Sequence, residues 1–343
     1  MNSHKFNERC TMKKNLFAMH DGVEIYEYVI SNDKIEAHIL NYGGILKNLI
    51  YKDVDLVCGF DTLEDYVKDS SYQGALIGRY ANRIREAKFT LNGKEYNVGK
   101  NERGNHLHGG IVGFNRKVWN VDSVSDDSIT LSLLSPDGEE GYPGNVSVRV
   151  TYKLCDSAIC IDYTGKTDED TVLNMTNHAY FNLNGCGNGT ILDHKIKIIA
   201  DYVTTVDDEL LPTGRMEVSG TPYDLRELTP VGKDINEEFA GYDHNYVIND
   251  NVQKETVCGY SLKKIAELTN DRILMTVYTD QPCVQLYAGL TLGGEPTFKG
   301  AQPRVNYGAL CLETQVEPDG PNHGEAFLKP EETYRHTTVY KFN

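Results

Sequence analysis

The chain is 343 residues long, 40% hydrophobic and 24% charged, the composition of a globular protein with a sizeable core. Its 50 acidic side chains against 34 basic ones leave a net charge of −16, which repels nucleic acid and anionic membrane surfaces and excludes partners held by nonspecific electrostatics. Eight cysteines stand singly, without a Cys-x-x-Cys spacing, so zinc fingers and redox dithiols are set aside.

In chain order, residues 1–11 are polar and unpatterned and are expected to form a disordered tail ahead of one domain spanning 12–343. The opening Met-Asn-Ser-His-Lys-Phe-Asn has no signal-peptide profile, and no apolar run approaches the ~18 residues of a membrane span. A cytoplasmic protein with free thiols and no membrane partner is the expectation. A helical turn or two is expected around residues 63–68. The run Phe89-Thr90-Leu91-Asn92-Gly93-Lys94-Glu95-Tyr96 sets Asn-Gly between alternating segments, a strong hairpin signal. Residues 129–134, 146–154 and 158–163 alternate as half-buried strands, and 194–200, 272–277, 284–288 and 333–342 read in the same way. No linker, charge block or repeat divides the chain. The expected fold class is all-β, a sandwich or barrel.

Five segments carry polar groups in unusual density. They are Gly78-Arg79-Tyr80-Ala81-Asn82-Arg83-Ile84, Asn105-His106-Leu107-His108-Gly109-Gly110, residues 174–185, Gly241-Tyr242-Asp243-His244-Asn245-Tyr246 and Cys311-Leu312-Glu313-Thr314-Gln315. The third, Asn-Met-Thr-Asn-His-Ala-Tyr-Phe-Asn-Leu-Asn-Gly, sets the imidazole of His178 among amides, a hydroxyl and two aromatics, groups suited to a polyol ligand. Taken singly, each segment is better explained by a surface ion pair, a turn, a solvated carboxylate or a satisfied core histidine. Trp119, Tyr180 and Phe181 are read as packing residues.

In this order the segments resemble the aldose 1-epimerase (galactose mutarotase) family. Further matches are Asn41-Tyr42-Gly43-Gly44, Gly113-Phe114-Asn115-Arg116-Lys117-Val118-Trp119, Ser135-Pro136-Asp137-Gly138-Glu139-Glu140-Gly141-Tyr142-Pro143-Gly144, Leu210-Leu211-Pro212-Thr213-Gly214 and Gln285-Leu286-Tyr287. The resemblance runs from about residue 12 onward and is specific because the motifs keep the family's order. It implies a large antiparallel β-sandwich with an open sugar cleft. It makes His178 the acid on the ring oxygen and Glu313 the base on the C1 hydroxyl. Asn82, Arg83, His108, Asp243 and Gln285 become the sugar-binding residues. No metal and no other cofactor is implied, and the partner is a monosaccharide bound by a monomer or homodimer.

Opening a hemiacetal requires removal of the C1 hydroxyl proton and protonation of the ring oxygen, so one acid and one base suffice. Reference pKa values place His178 protonated while Glu313 is ionised. A metal held by His108, His178 and Glu313 is a minor alternative, since those groups already have roles in a metal-free reaction. Asn115, Cys283 and the run Tyr223-Asp224-Leu225-Arg226 depart from the family's usual residues, which bears on loop shape and substrate preference. The alternatives are a catalytically idle sugar-binding or regulatory protein on the same scaffold, a hexose-6-phosphate epimerase and a glycoside-cleaving enzyme. Phosphate would want additional convergent basic residues, and glycoside cleavage a pair of flanking carboxyl groups.

Overall fold

The computed structural model describes residues 13–343; the tail expected at 1–11 lies outside the described residues. The strand Val146–Cys155 shows how alternation builds the sheet: Val146, Val148, Val150, Tyr152 and Leu154 are buried, while Ser147, Arg149 and Lys153 face solvent. It pairs antiparallel with Ser128–Ser135 on one side and Ala158–Thr167 on the other. The sheet continues through Tyr334–Phe342, Leu274–Thr279, Tyr260–Thr269 and Lys195–Ile198, reaching ten strands.

Two five-stranded sheets complete the layers. One is a meander from Lys13–His20 to Val54–Asp55. The other, here the cleft sheet, has the spatial order Pro212–Glu217, Tyr202–Val206, Asp243–Val247, Cys283–Tyr287, Cys311–Gln315. One continuous apolar core joins all three, with Ile39 and Leu49 from the meander, Val150 and Ile161 from the large sheet, and Val284, Leu286 and Leu312 from the cleft sheet. Each such side chain contributes about 1.5–3 kcal/mol on full burial. Tyrosine hydroxyls stitch the layers, Tyr152 donating to the Gly44 carbonyl at 2.6 Å and Tyr340 to the Leu312 carbonyl at 2.8 Å. The sandwich expected from the resemblance is present.

The Asn-Gly hairpin forms between Lys88–Leu91 and Lys94–Asn97, with φ of 53° at Asn92 and 76° at Gly93, the two positive values of a type I′ turn. The expected helical turns form the helix Leu63–Lys68, capped by Thr62, whose hydroxyl accepts from the Asp65 amide. Alternation did not mark the meander strands between residues 13 and 55. Register shifts between Leu16 and Ala18 and between His38 and Ile39 interrupt the period of two there. The expectation of free thiols needs one correction: Cys155 and Cys258, 103 residues apart, form a disulfide with a Cα separation of 5.7 Å. The large sheet brings the end of Val146–Cys155 beside the turn after Lys254–Val257, a proximity that spacing in the sequence cannot reveal. Cys58, Cys160, Cys186, Cys283 and Cys311 remain thiols.

Candidate active site

The cleft sheet creates the site by register. Asn245, Gln285 and Glu313 lie directly opposite one another on three adjacent strands, so their side chains emerge from the same face, with Asp243 two residues along from Asn245. The opposite face of these strands carries Val284, Leu286 and Leu312 into the core. Gln285 donates from Nε2 to Asp243 Oδ1 at 2.8 Å and accepts from Asn82 Nδ2 at 3.2 Å. That chain ties the sheet to the Asn82–Arg83 loop.

Asn82 has φ of 72°, a left-handed conformation that asparagine tolerates better than most residues. The turn lets its backbone amide donate to His108 Nδ1 at 3.1 Å, while the His108 amide donates back to the Asn82 carbonyl at 3.1 Å. Arg83 is buried and its Nε pairs with Glu102 at 3.2 Å. His178 follows the short strand Thr176–Asn177, and its backbone amide bonds the Ala75 carbonyl at 2.9 Å. Tyr72 and Tyr180 stack on its imidazole at centroid distances of 5.8 and 5.0 Å.

His178 Nε2 faces Glu313 Oε1 at 3.5 Å, and Glu313 Oε2 has no hydrogen-bond partner although it is buried. Burial pushes the Glu313 carboxyl well above the usual carboxylate range; Asp243 adds to the rise and Arg83 partly offsets it. Burial pushes the His178 imidazole down to about 4. The reference order of the two groups is therefore reversed in the folded protein: the ligand-free cleft favours a neutral carboxyl and a neutral imidazole, because each charged form has lost its water. Burial, reinforced by the His178, Arg83 and His106 charges, also holds His108 well below the ordinary histidine range.

All seven residues named from the sequence, Asn82, Arg83, His108, His178, Asp243, Gln285 and Glu313, line one cavity of about 620 Å³. The cavity also uses residues that the sequence reading did not name as site residues. Tyr72 and Glu102 stand in loops, with no local signal to mark them. Tyr180, read as packing, is buried but forms part of the cavity wall. Phe181 and Trp119 are core residues as expected, Trp119 donating from its indole to the Phe114 carbonyl at 3.1 Å. His106, two residues before His108, is structural: it contacts the Gly99 carbonyl at 2.7 Å and the Tyr142 hydroxyl at 2.7 Å.

His108, His178 and Glu313 bring three candidate metal-ligand atoms within 4.8 Å of one another. The donor set suits a cation poorly. The Asn82 amide can only donate, so it occupies the Nδ1 lone pair of His108, and the proton of the neutral ring then sits on Nε2. Moving that proton to Nδ1 would oppose two N–H groups.

The chain matches the family model described as aldose 1-epimerase over residues 26–341. It is 39% identical to mouse galactose mutarotase, covering 94% of this chain and 95% of the relative, and 37% identical to Haemophilus influenzae aldose 1-epimerase, covering 92% and 93%. Among solved structures, galactose 1-epimerase from Lactobacillus acidophilus superposes with a TM-score of 0.84 at 27% identity, over 97% of this chain and 99% of that one. With this sandwich, this cleft and matches across nearly its whole length, the chain belongs to the aldose 1-epimerase family.

Proposed function

We propose that the protein is an aldose 1-epimerase, a mutarotase that interconverts the α and β anomers of free aldohexoses such as D-galactose and D-glucose, with residues 12–343 acting as one domain. The observation that carries this reading is the buried pair at the floor of the cleft, His178 Nε2 facing Glu313 Oε1 at 3.5 Å with Glu313 Oε2 unpartnered. A free carboxylate oxygen beside an imidazole is what hemiacetal opening needs.

The cycle alternates between two placements of a single proton. Beside the cyclic sugar, ionised Glu313 takes the C1 hydroxyl proton while protonated His178 gives one to the ring oxygen. The pair is then neutral and the sugar is an open-chain aldehyde. Rotation about the C1–C2 bond presents the other face, and reclosure returns both protons by the reverse route. The neutral pair that burial favours is thus the form that stands beside the open-chain intermediate. Keeping the two placements close in energy lowers the cost of each transfer.

Arg83 and His108 donate to sugar hydroxyls, Asp243 accepts from them, and the amides of Asn82 and Gln285 do either. The arginines lining the cleft are already paired, Arg83 and Arg103 with Glu102 and Arg304 with Asp69 at 2.9 Å, which favours a neutral sugar over a hexose 6-phosphate. The proposed setting is the cytoplasm and the proposed assembly a monomer or homodimer; no described helix is long and apolar enough to cross a membrane. Following the optical rotation of freshly dissolved α-D-galactose and α-D-glucose tests the activity. Acceleration over the spontaneous rate is expected. Saturable sugar binding at the spontaneous rate would make the protein an idle binder, and acceleration confined to glucose 6-phosphate would move it to the phosphorylated class.

A further inference from the structure

The two cleft histidines differ at Nδ1. His108 Nδ1 accepts from the Asn82 backbone amide, a group that can never accept a proton in return. Its neutral ring is fixed with the proton on Nε2, so His108 can donate to a ligand but has no free nitrogen with which to take a proton. His178 Nδ1 instead contacts Cys311 Sγ at 3.4 Å. A thiol is a weak donor and a weak acceptor, so it can receive a hydrogen bond from a protonated Nδ1. With the proton held there, Nε2 of the neutral ring carries a lone pair facing Glu313 Oε1 at 3.5 Å, free to take and return the ring-oxygen proton.

The His178 backbone carbonyl also bonds the ring, and Cys311 is the side chain found at Nδ1. Tyr72 and Tyr180 both stack on the imidazole, so its polar contacts are made at the ring edge. Cys311 is fully buried. It lies two residues before Glu313 on the same strand, so both side chains leave the same face of the cleft sheet. Burial, the nearby Glu313 charge and, less strongly, Asp243 hold the sulfur as a neutral thiol, with a hydrogen bond from Tyr180 acting in the other direction.

We propose that Cys311 is a positioning residue for the reaction, its sulfur accepting from His178 Nδ1 and so keeping Nε2 available for proton exchange with the sugar. The inference rests on His178 acting as the acid, and the experiment separates the two. His178→Gln in the otherwise unchanged chain tests that reading by itself. Cys311→Val removes the acceptor at similar volume, and Cys311→Ser restores one. The expected result is that Cys311→Val lowers kcat by about three- to tenfold, the range of one hydrogen bond. KM for galactose stays unchanged, and Cys311→Ser recovers most of the loss. Wild-type kcat in Cys311→Val, alongside an inactive His178→Gln, overturns the role of Cys311 and leaves the mutarotase reading intact. Equal losses in the valine and serine variants likewise make Cys311 a packing residue. Should the valine variant not fold, the ¹⁵N spectrum of His178 in the intact protein decides. Protonation at Nδ1 in the neutral ring supports the proposal, and protonation at Nε2 overturns it.

Discussion

The ten-stranded sheet and the cleft sheet use the same strand geometry to bury opposite chemistry. In Val146–Cys155 the inward positions are all apolar and the outward ones solvated. In Cys311–Gln315 both faces are buried, Leu312 and Thr314 on one and Cys311, Glu313 and Gln315 on the other. Glu313 Oε2 and Gln315 Oε1 are left without partners, an arrangement that costs stability. Holding the fold and presenting the chemistry have thus been assigned to different sheets, and the division can be tested from both sides.

The largest effect is expected on the cleft side. Glu313→Gln and His178→Gln should each lower turnover by about 10² to 10⁴, the contribution of one positioned acid or base, while circular dichroism stays native. Near-native polarimetric rates in either variant remove that residue from the mechanism. On the other side, Ile161 is fully buried in the large sheet, and Ile161→Ala should cost about 2–5 kcal/mol of stability in urea titration. Turnover per folded molecule should not change. A fall in kcat at low temperature, where the variant is still folded, would show that the large sheet tunes the cleft and break the division.

The Cys155–Cys258 bond sharpens the same comparison. It ties two strand ends of the large sheet together and closes a loop of about a hundred residues that includes three cleft-sheet strands, and loops of that length gain up to ~4.7 kcal/mol in the chain-entropy account, with 2–4 typical. Cys155→Ser should therefore lower the denaturant midpoint and leave anomer exchange untouched. Mass spectrometry after alkylation of the native protein should find this pair blocked. If both thiols alkylate, the staple is not formed in the cell's own redox setting.

How legible each region was in the sequence follows from the same chemistry. Residues 146–154 and 158–163 announce their strands because one face is solvated, and the Asn92-Gly93 turn announces its hairpin. The strands Asp243–Val247 and Cys311–Gln315 have no such face to alternate against, and only the order of family motifs marked His178 and Glu313. Asn245, Gln285 and Glu313 are separated by 40 and 28 positions, yet pairing places them in one row, a juxtaposition that requires the register. Tyr72 and Glu102 come from loops whose path no periodicity encodes. The direction of the Glu313 and His178 shifts was likewise invisible, because desolvation depends on what surrounds a group rather than on its type.

The smallest expected effect follows from those shifts. Glu313 titrates well above its unfolded range, so between the unfolded value near 4.3 and the folded value the native state binds more protons than the unfolded chain, and stability falls as pH rises. Glu313→Gln removes that slope, so the difference in Tm, variant minus wild type, should grow as pH rises above the unfolded value and level off once the folded value is passed. His178 has the opposite sign. Its folded value of about 4 lies below the unfolded value near 6.5, so its contribution is lost as pH falls through that window, and His178→Gln should gain on the wild type on going from pH 7 to pH 5. Activity obeys a related rule, because the pair works with one proton between them. A second proton arrives only as pH approaches the His178 value, and the single proton leaves only as pH passes the Glu313 value. The kcat/KM profile should therefore show an acid limb near 4 and a basic limb displaced well above the ordinary carboxylate range. An acid limb at the unperturbed histidine position would instead mean that His178 is solvated in the working enzyme.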